Sequence, residues 1–244
     1  MSKKNKIYEG KAKVILKSSN KNTLIQYFKD DATAYNAQKR DTIYGKGIIN
    51  NLVSENLMLF LEKKGIATHF IKRIDQRNQL IKKLKIFPIE VIVRNRVAGT
   101  LSKRLGIKEG VVIKNTLIEF CYKNDKLGDP LLLEDHILFL KLASESEIER
   151  IKIISYSINK HLTKIFDKIG IILVDFKLEF GKEVNTKKQS IILGDEISPD
   201  TCRLWDKKSK RKLDKDRFRR DLGKVIESYQ EVANRLGINL DGLK

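Results

Sequence analysis

Asp175, Lys177 and Glu179 alternate with Phe176, Leu178 and Phe180 in an unbroken run. A strand has a two-residue side-chain period, so the three charged residues share one face and the three apolar residues the other. Two carboxylates flanking a lysine can hold magnesium while the lysine neutralises a phosphate or a substrate carboxylate. The same pattern also serves as an ordinary charge-paired strand surface, worth little energetically. A second acidic group, Asp195-Glu196-Ile197-Ser198-Pro199-Asp200, follows a short apolar run at 191–193 that reads as the hairpin partner of the first strand. Tight pairing would bring Asp195 close to Glu179, and two hard oxygen donors on adjacent strands suit a magnesium ion bound to nucleotide phosphates. Taken alone, Pro199 and Asp200 equally describe an acidic turn.

Three further segments suit anions. In Tyr8-Glu9-Gly10-Lys11-Ala12-Lys13 the glycine lets backbone approach a phosphate and the lysines add charge, although a plain basic hairpin reads the same way. Gly45-Lys46-Gly47 leads into a helix, whose N-terminus favours anions, although helix entry alone explains the segment equally well. Arg94-Asn95-Arg96 with Gly99-Thr100 ends a strand, and paired guanidinium donors beside a hydroxyl can grip a phosphate or form a surface ion pair. Neither GxxxxGK[ST] nor GxGxxG occurs, and His69, His136 and His161 fit no ligand spacing and read as structural.

These side chains need elements to carry them. Short strands are expected around 7–8, 14–16 and 24–28, separated by Gly10, Asn20 and Asn22. Ile49, Leu52, Val53, Phe60 and Leu61 repeat a helical face over 47–64, stopped by Gly65. Strand-like runs follow at 68–74, 79–84 and 89–93, too few helices for a doubly wound parallel sheet, so the sheet is expected to be mainly antiparallel. Ser144 and Glu147 stand at capping-box spacing ahead of Ile148, Ile151, Ile158, Leu162, Ile165 and Ile169, with Gly170 as the stop. A buried strand follows at 171–174, and a last helix is expected from near Asp214 to Gly237, burying Phe218, Leu222, Val225, Ile226, Tyr229, Val232, Ala233 and Leu236. Without repeats or low-complexity linkers, a domain boundary falls tightly near 84–88 and offers a cleft.

Composition narrows the function. Lys and Arg number 50 against 31 acids, for a formal charge of +19. The basic residues are interleaved with the acids rather than gathered in blocks, which argues against a dedicated nucleic-acid surface and for a diffuse field that attracts anionic metabolites. Cys121 and Cys202 form no CxxC pair and fit free thiols in a reducing compartment. The N-terminus lacks the apolar run of a secretion signal, and no stretch approaches the roughly 20 apolar residues of a spanning helix, so a cytoplasmic protein without a membrane partner is expected.

Taken in order, these segments resemble the phosphoribosylaminoimidazole-succinocarboxamide synthases, the SAICAR synthetases of purine biosynthesis. The resemblance runs collinearly from Tyr8 to about Leu240 and rests on the Tyr8–Lys13 hairpin, Lys46-Gly47 with Asn50-Asn51, and the stretch 88–100. It continues through Lys123-Asn124-Asp125, Asp129-Pro130, the stretches 174–181 and 193–200, Arg203-Leu204-Trp205-Asp206 and the stretch 214–219. It implies a two-domain α+β fold, with a small antiparallel sheet domain (1–85) covering ATP and a larger α/β domain (86–244) that binds substrate and metal. It further implies an ATP- and magnesium-dependent condensation of carboxyaminoimidazole ribotide with L-aspartate through an acyl phosphate and, by analogy, a homo-oligomer.

Carried over residue by residue, the resemblance implies that Gly10, Lys11 and Lys13 form the loop over the ATP phosphates, while the backbone from Lys82 to Lys85 meets adenine. Glu179 and Asp195 hold magnesium, and Lys123, Asp175 and Lys177 line the reaction centre or the aspartate site. Arg94, Thr100, Arg203 and Arg219 bind the ribotide and other anionic groups. Asn36 stands where some relatives carry an acid and is assigned no metal; Thr100 replaces a serine and keeps the hydroxyl. The rivals are a small-molecule kinase, for which the same Asp-x-Lys strand would serve, and a basic RNA-binding protein, for which no aromatic RNA-binding motif is present.

Overall fold

The structure is a computed structural model that describes residues 5–34, 38–184 and 190–241. Asn36 lies outside them. In the first third, turn residues cut the chain into short strands, β1 (Lys6–Glu9), β2 (Lys13–Lys17) and β3 (Thr23–Phe28), which pair antiparallel. A small hairpin, β4 (Asp31–Ala34) with β5 (Lys39–Thr42), follows. Helix α1 (Lys46–Glu62) then buries Ile49, Val53, Leu57 and Leu61, a stripe with four-residue spacing. Strands β6 (Phe70–Arg73) and β7 (Asn78–Lys82) complete a five-stranded sheet in the order β1-β2-β3-β7-β6.

Strand β8 (Leu84–Arg96) leaves β7 after one residue and runs without interruption across 84–88 into the middle of a second sheet. After the short helix α2 (Thr100–Leu105) come β9 (Val112–Tyr122), β10 (Leu131–Leu132) and helix α3 (Glu134–Phe139). Helix α4 (Glu145–Lys168) starts on the expected capping box: the Ser144 hydroxyl accepts from the Glu147 N–H while Glu147 Oε2 accepts from the Ser144 N–H. Gly170, at φ +72°, ends that turn in the left-handed region and feeds β11 (Ile171–Glu183). With β12 (Ile191–Gly194) and β13 (Cys202–Asp206) the second sheet is ordered β10-β9-β8-β11-β12, with β13 also on β11, and all its pairings are antiparallel.

The apolar face of β11 is sealed by α4. Phe176, Leu178 and Phe180 join Val91 and Val93 of β8 and Ile151, Ile158, Leu162 and Phe166 of α4 in one core, each ring or branched chain worth about 1.5–3 kcal/mol when fully buried. The buried stripe of α1 belongs to the same core, so the first third contributes to the larger body as well as to its own sheet. With one face of β11 committed to α4, its charged face must look the other way.

The C-terminal helix is not continuous. A single turn α5 (Asp216–Arg219) and helix α6 (Val225–Arg235) are separated by Asp221, Gly223 and Lys224, all at positive φ. Leu222 is exposed rather than buried, and the Arg217 guanidinium donates to the Leu222 and Gly223 carbonyls. The apolar spacing spans the break because α6 resumes on the same side of the core; the left-handed backbone, which the periodicity does not encode, sets the break itself.

Candidate active site

The outward face of β11 holds Asp175, Lys177 and Glu179, and the ladder fixes what stands beside each. Glu179 pairs across β11 and β12 with Gly194, one residue before Asp195, and across β11 and β8 with Glu90. Asp195 adopts φ +59°, a left-handed turn that aspartate tolerates better than most residues. The Lys177 ammonium donates to Glu179 Oε1 at 2.6 Å and Glu90 Oε1 at 3.1 Å, and pairs with Asp195 Oδ2 at 3.0 Å. Glu179 and Asp195 therefore converge on one cationic point. The face is not a solvated surface, since Glu179 is only 5% exposed.

The β1–β2 hairpin reaches this point from the other sheet. Lys13 donates to Asp195 and pairs with Glu196 Oε1 at 2.9 Å, while Lys123, just beyond β9, donates to Glu179. Lys11 donates to Asp125 at 2.7 Å, on a turn between β9 and β10. The two sheets thus enclose a cavity of about 980 Å³. Gly10, Lys11, Lys13 and Lys82 line it from the small sheet, and Arg94, Thr100, Lys123, Asp175, Lys177, Glu179, Asp195, Arg203 and Arg219 from the rest of the chain. Lys85 does not line it: on β8 it is paired with Lys182 of β11, while its neighbours Leu84 and Ile86 do face the cavity.

Charge decides protonation here. Burial by itself would raise the Glu179 carboxyl, but Lys177, Lys123 and Lys13 outweigh it and hold Glu179 ionised, well below the usual carboxylate range. Burial would likewise lower Lys177; Glu179 and Glu90 overcome that and hold its ammonium above the usual lysine range. Lys13 goes the other way, since burial and the charge of Lys177 lower it despite Glu196 and Glu179. Burial also raises both thiols, Cys121 to about 11, so these cavity-lining cysteines stay protonated at neutral pH.

His69 lines the same cavity, 3% exposed, and its Nε2 has no hydrogen-bond partner; Gln26 Nε2, on the same small sheet, is in the same condition. Two unsatisfied buried polar atoms on one wall are costly unless a ligand meets them. Burial, helped by Lys13, lowers His69 from 6.5 to about 3. A group depressed on folding stabilises the fold above its unfolded value, and that contribution is lost as pH falls. The melting temperature is therefore expected to fall as pH drops from 6.5 toward 3, with a visibly shallower slope in His69→Gln, as pH-dependent thermal melts would show.

At the far end, Asp175 is clamped between two guanidinium groups, Arg94 at 2.9 Å and Arg203 at 2.9 Å. Arg94 also donates to Thr100 Oγ1 at 3.3 Å, and Arg203 Nε and Arg219 both donate to Asp216, at 3.0 and 2.7 Å. Gly99, at φ +56°, lets Arg203 lie against the backbone; a Cβ there would stand 2.3 Å from the guanidinium. The result is a rigid fork of paired donors facing the cavity, the geometry that suits a phosphate.

The structure thus brings together every residue assigned to catalysis, ATP, the ribotide or the metal except Lys85. It adds Glu90, which reasoning from sequence assigned no role, and brings Glu196 and Asp200 of the acidic turn into the cavity, while Lys46 does not line it. Glu90 sits in the apolar alternation of β8, and only the cross-strand register places it opposite Glu179. Lys46 is fully buried and donates to Asp200 at 2.6 Å, so of the two readings of its segment, helix entry rather than anion binding holds.

Known proteins resemble the chain over nearly its whole length. The SAICAR synthetase family model matches residues 6–236. A phosphoribosylaminoimidazole-succinocarboxamide synthase of Sphingopyxis alaskensis is 56% identical over 242 residues, covering 99% of this chain and 94% of the relative. The crystal structure of the synthase of the same name from Ehrlichia chaffeensis superimposes with a TM-score of 0.95 at 52% identity, covering 97% of this chain and 100% of that one. A SAICAR synthetase solved in complex with ADP gives 0.90 at 47% identity, over 94% and 96% of the two chains. The chain belongs to the SAICAR synthetase family.

Proposed function

We propose that the chain performs the ligation of its family, joining carboxyaminoimidazole ribotide to L-aspartate with conversion of ATP to ADP and phosphate, and that the cavity between the two sheets is where this happens. The observation that carries the reading is the convergence of Glu179 and Asp195 on one point, beneath the lysine-bearing hairpin and beside the arginine fork. A carboxylate resists attack by an amine because its charge repels nucleophiles and oxide leaves badly. Transfer of the γ-phosphoryl group to a ribotide carboxylate oxygen makes an acyl phosphate; the aspartate amine then forms the C–N bond at that carbonyl carbon, loses a proton and displaces phosphate.

The chain's part is positioning and charge. Lys11 and Lys13, with Gly10 at the turn, lie over the triphosphate, while Lys123 and Lys177 neutralise the oxygens of the transferred group. The wall formed by Lys82, Leu84, Ile86, Gln26 and His69 receives the base, whose ring nitrogens and amino group can satisfy the two orphaned side chains. Arg94, Thr100, Arg203 and Arg219 hold the ribotide, and Asp175 locks two of those arginines in place.

The donor set also fits magnesium. Oxygens of Glu179 and Asp195 lie 2.6 and 3.0 Å from the Lys177 ammonium, and two converging carboxylates are the share that an ion keeping water and phosphate oxygens takes from a protein. Glu179 and Asp195 would hold it, and when bound it screens charge on the phosphates. In the same reading 1–85 covers the nucleotide and 86–244 carries substrate and metal, with α1 lent to the larger core. Among the described residues no helix is long and apolar enough to cross a membrane, and two unpaired thiols suit a reducing cytoplasm.

A coupled ADP assay with the ribotide and L-aspartate supplied separately and together tests this. Phosphate release that requires both substrates is expected. Phosphate retained on a product formed without aspartate would make the chain a small-molecule kinase instead.

A further inference from the structure

Lys215 stands just ahead of α5 and is 9% exposed, yet it lines the cavity. Its backbone is fixed, because its N–H donates to the Pro199 carbonyl at 3.1 Å. Among the described residues its ammonium makes no hydrogen bond and no ion pair, unlike the cavity lysines Lys11, Lys13, Lys123 and Lys177.

The acids that could have neutralised Lys215 are already taken. Asp200 receives Lys46 on Oδ2 and the Tyr229 hydroxyl on Oδ1. Glu196 pairs with Lys13 through Oε1 and accepts from Ser198 at 2.5 Å through Oε2. Asp214, next in the chain, spends its two oxygens on the backbone N–H groups of Asp216 and Leu204. Burial, helped by the nearby charges of Arg219 and Lys46, lowers the Lys215 ammonium to about 8 against the opposing pull of Asp200 and Glu196. A nearly buried cation without a partner is costly to the fold and awaits a negative group from outside.

Its place in the cavity narrows that group. Its charge is felt by Glu196, tied to the triphosphate hairpin through Lys13, and by Arg219, in the arginine fork. Lys215 therefore lines the same cavity as the phosphoryl-transfer groups and the ribotide fork, across which the amine must reach the activated carbonyl. The fork already supplies paired planar donors for a phosphate, whereas an ammonium is a compact point charge that takes a single carboxylate oxygen without a bidentate match. The second reactant brings two carboxylates, and with Lys123 and Lys177 committed to the transferred phosphoryl group and to Glu179, a further cation is needed for them.

We infer that Lys215 binds a carboxylate of the L-aspartate substrate and so orients its amine toward the acyl phosphate. This rests on the ligation reading, and the wild-type assay separates the two: phosphate release that requires both substrates establishes the ligation before any variant is made. In Lys215→Met the KM for L-aspartate should then rise roughly 30-fold, the loss of one charge-assisted hydrogen bond, with KM for ATP and the ribotide changed less than about 3-fold. Lys215→Arg, which keeps the charge, should recover part of the loss. Because no hydrogen bond or ion pair is broken and only a longer-range attraction to Asp200 is lost, the melting temperature of Lys215→Met should change little. Should the methionine variant fail to fold, Lys215→Gln is assayed with the same split expected. An unchanged aspartate KM, or a ribotide KM that rises as much as the aspartate KM, would overturn the assignment, the second by making Lys215 part of the ribotide phosphate site.

Discussion

Asp195→Asn is expected to abolish magnesium-dependent ADP formation, lowering kcat/KM by about 10³-fold or more, while the protein still folds. The substitution is nearly isosteric, and asparagine accepts the left-handed backbone of Asp195 at φ +59° as readily as aspartate does. What it removes is one negative charge from a cluster in which Lys13 and Lys177 both face that side chain. Glu179, Glu90 and Glu196 remain to hold the two lysines, so the melting temperature should move by only a few degrees. Nucleotide affinity measured by calorimetry with and without magnesium gives the second readout: the gain from added magnesium should be small in the variant and large in the wild type. Wild-type turnover by Asp195→Asn would refute the metal role.

The second large effect is on stability. Lys46 opens α1, fully buried, with Asp200 Oδ2 at 2.6 Å; Asp200 Oδ1 accepts from Tyr229 on α6 at 2.7 Å. Three distant segments are stapled by one buried carboxylate. Burial would raise Asp200, yet Lys46 and Lys215 hold it ionised, well below the usual range. In Lys46→Met that carboxylate loses its nearest cation, a change worth about 3–5 kcal/mol. For a chain of this size that lowers the melting temperature by roughly 6–15 °C. Lys46→Met with Asp200→Asn should recover part of the loss, because the stranded charge is gone. Tyr229→Phe should cost about 1.5–3 kcal/mol, the worth of one hydrogen bond to a charged group. A Lys46→Met protein as stable as the wild type would show that the pair is decoration.

Much of the fold could be read directly. The capping box of α4, the helical face of α1 and the two-residue period of β11 are local patterns, and local backbone sterics enforce them wherever the chain goes. The apolar run at 191–193 even fixed the pairing that sets Asp195 beside Glu179, since a strand a few residues away has few other partners. Strand β9 left no such trace, because its side chains alternate without a clean apolar face and much of it stays exposed. The last helix was read as continuous for a related reason: its apolar period survives a break that is made by backbone angles at Asp221, Gly223 and Lys224.

The candidate site divides along the same line. Residue type and spacing alone marked Asp175, Lys177, Glu179 and Asp195 as a set, because a hairpin carries them. That Lys13 reaches Asp195 from 182 residues away, that Glu90 stands opposite Glu179, and that Lys46 is buried on Asp200 rather than left to greet an anion were settled only in three dimensions. A side chain's period is written in its neighbours, but its distant partner is chosen by how two sheets pack across a shared cavity. That choice also leaves Lys215 buried with no partner of its own, since whether a charge is paired depends on which acids the rest of the fold has already used.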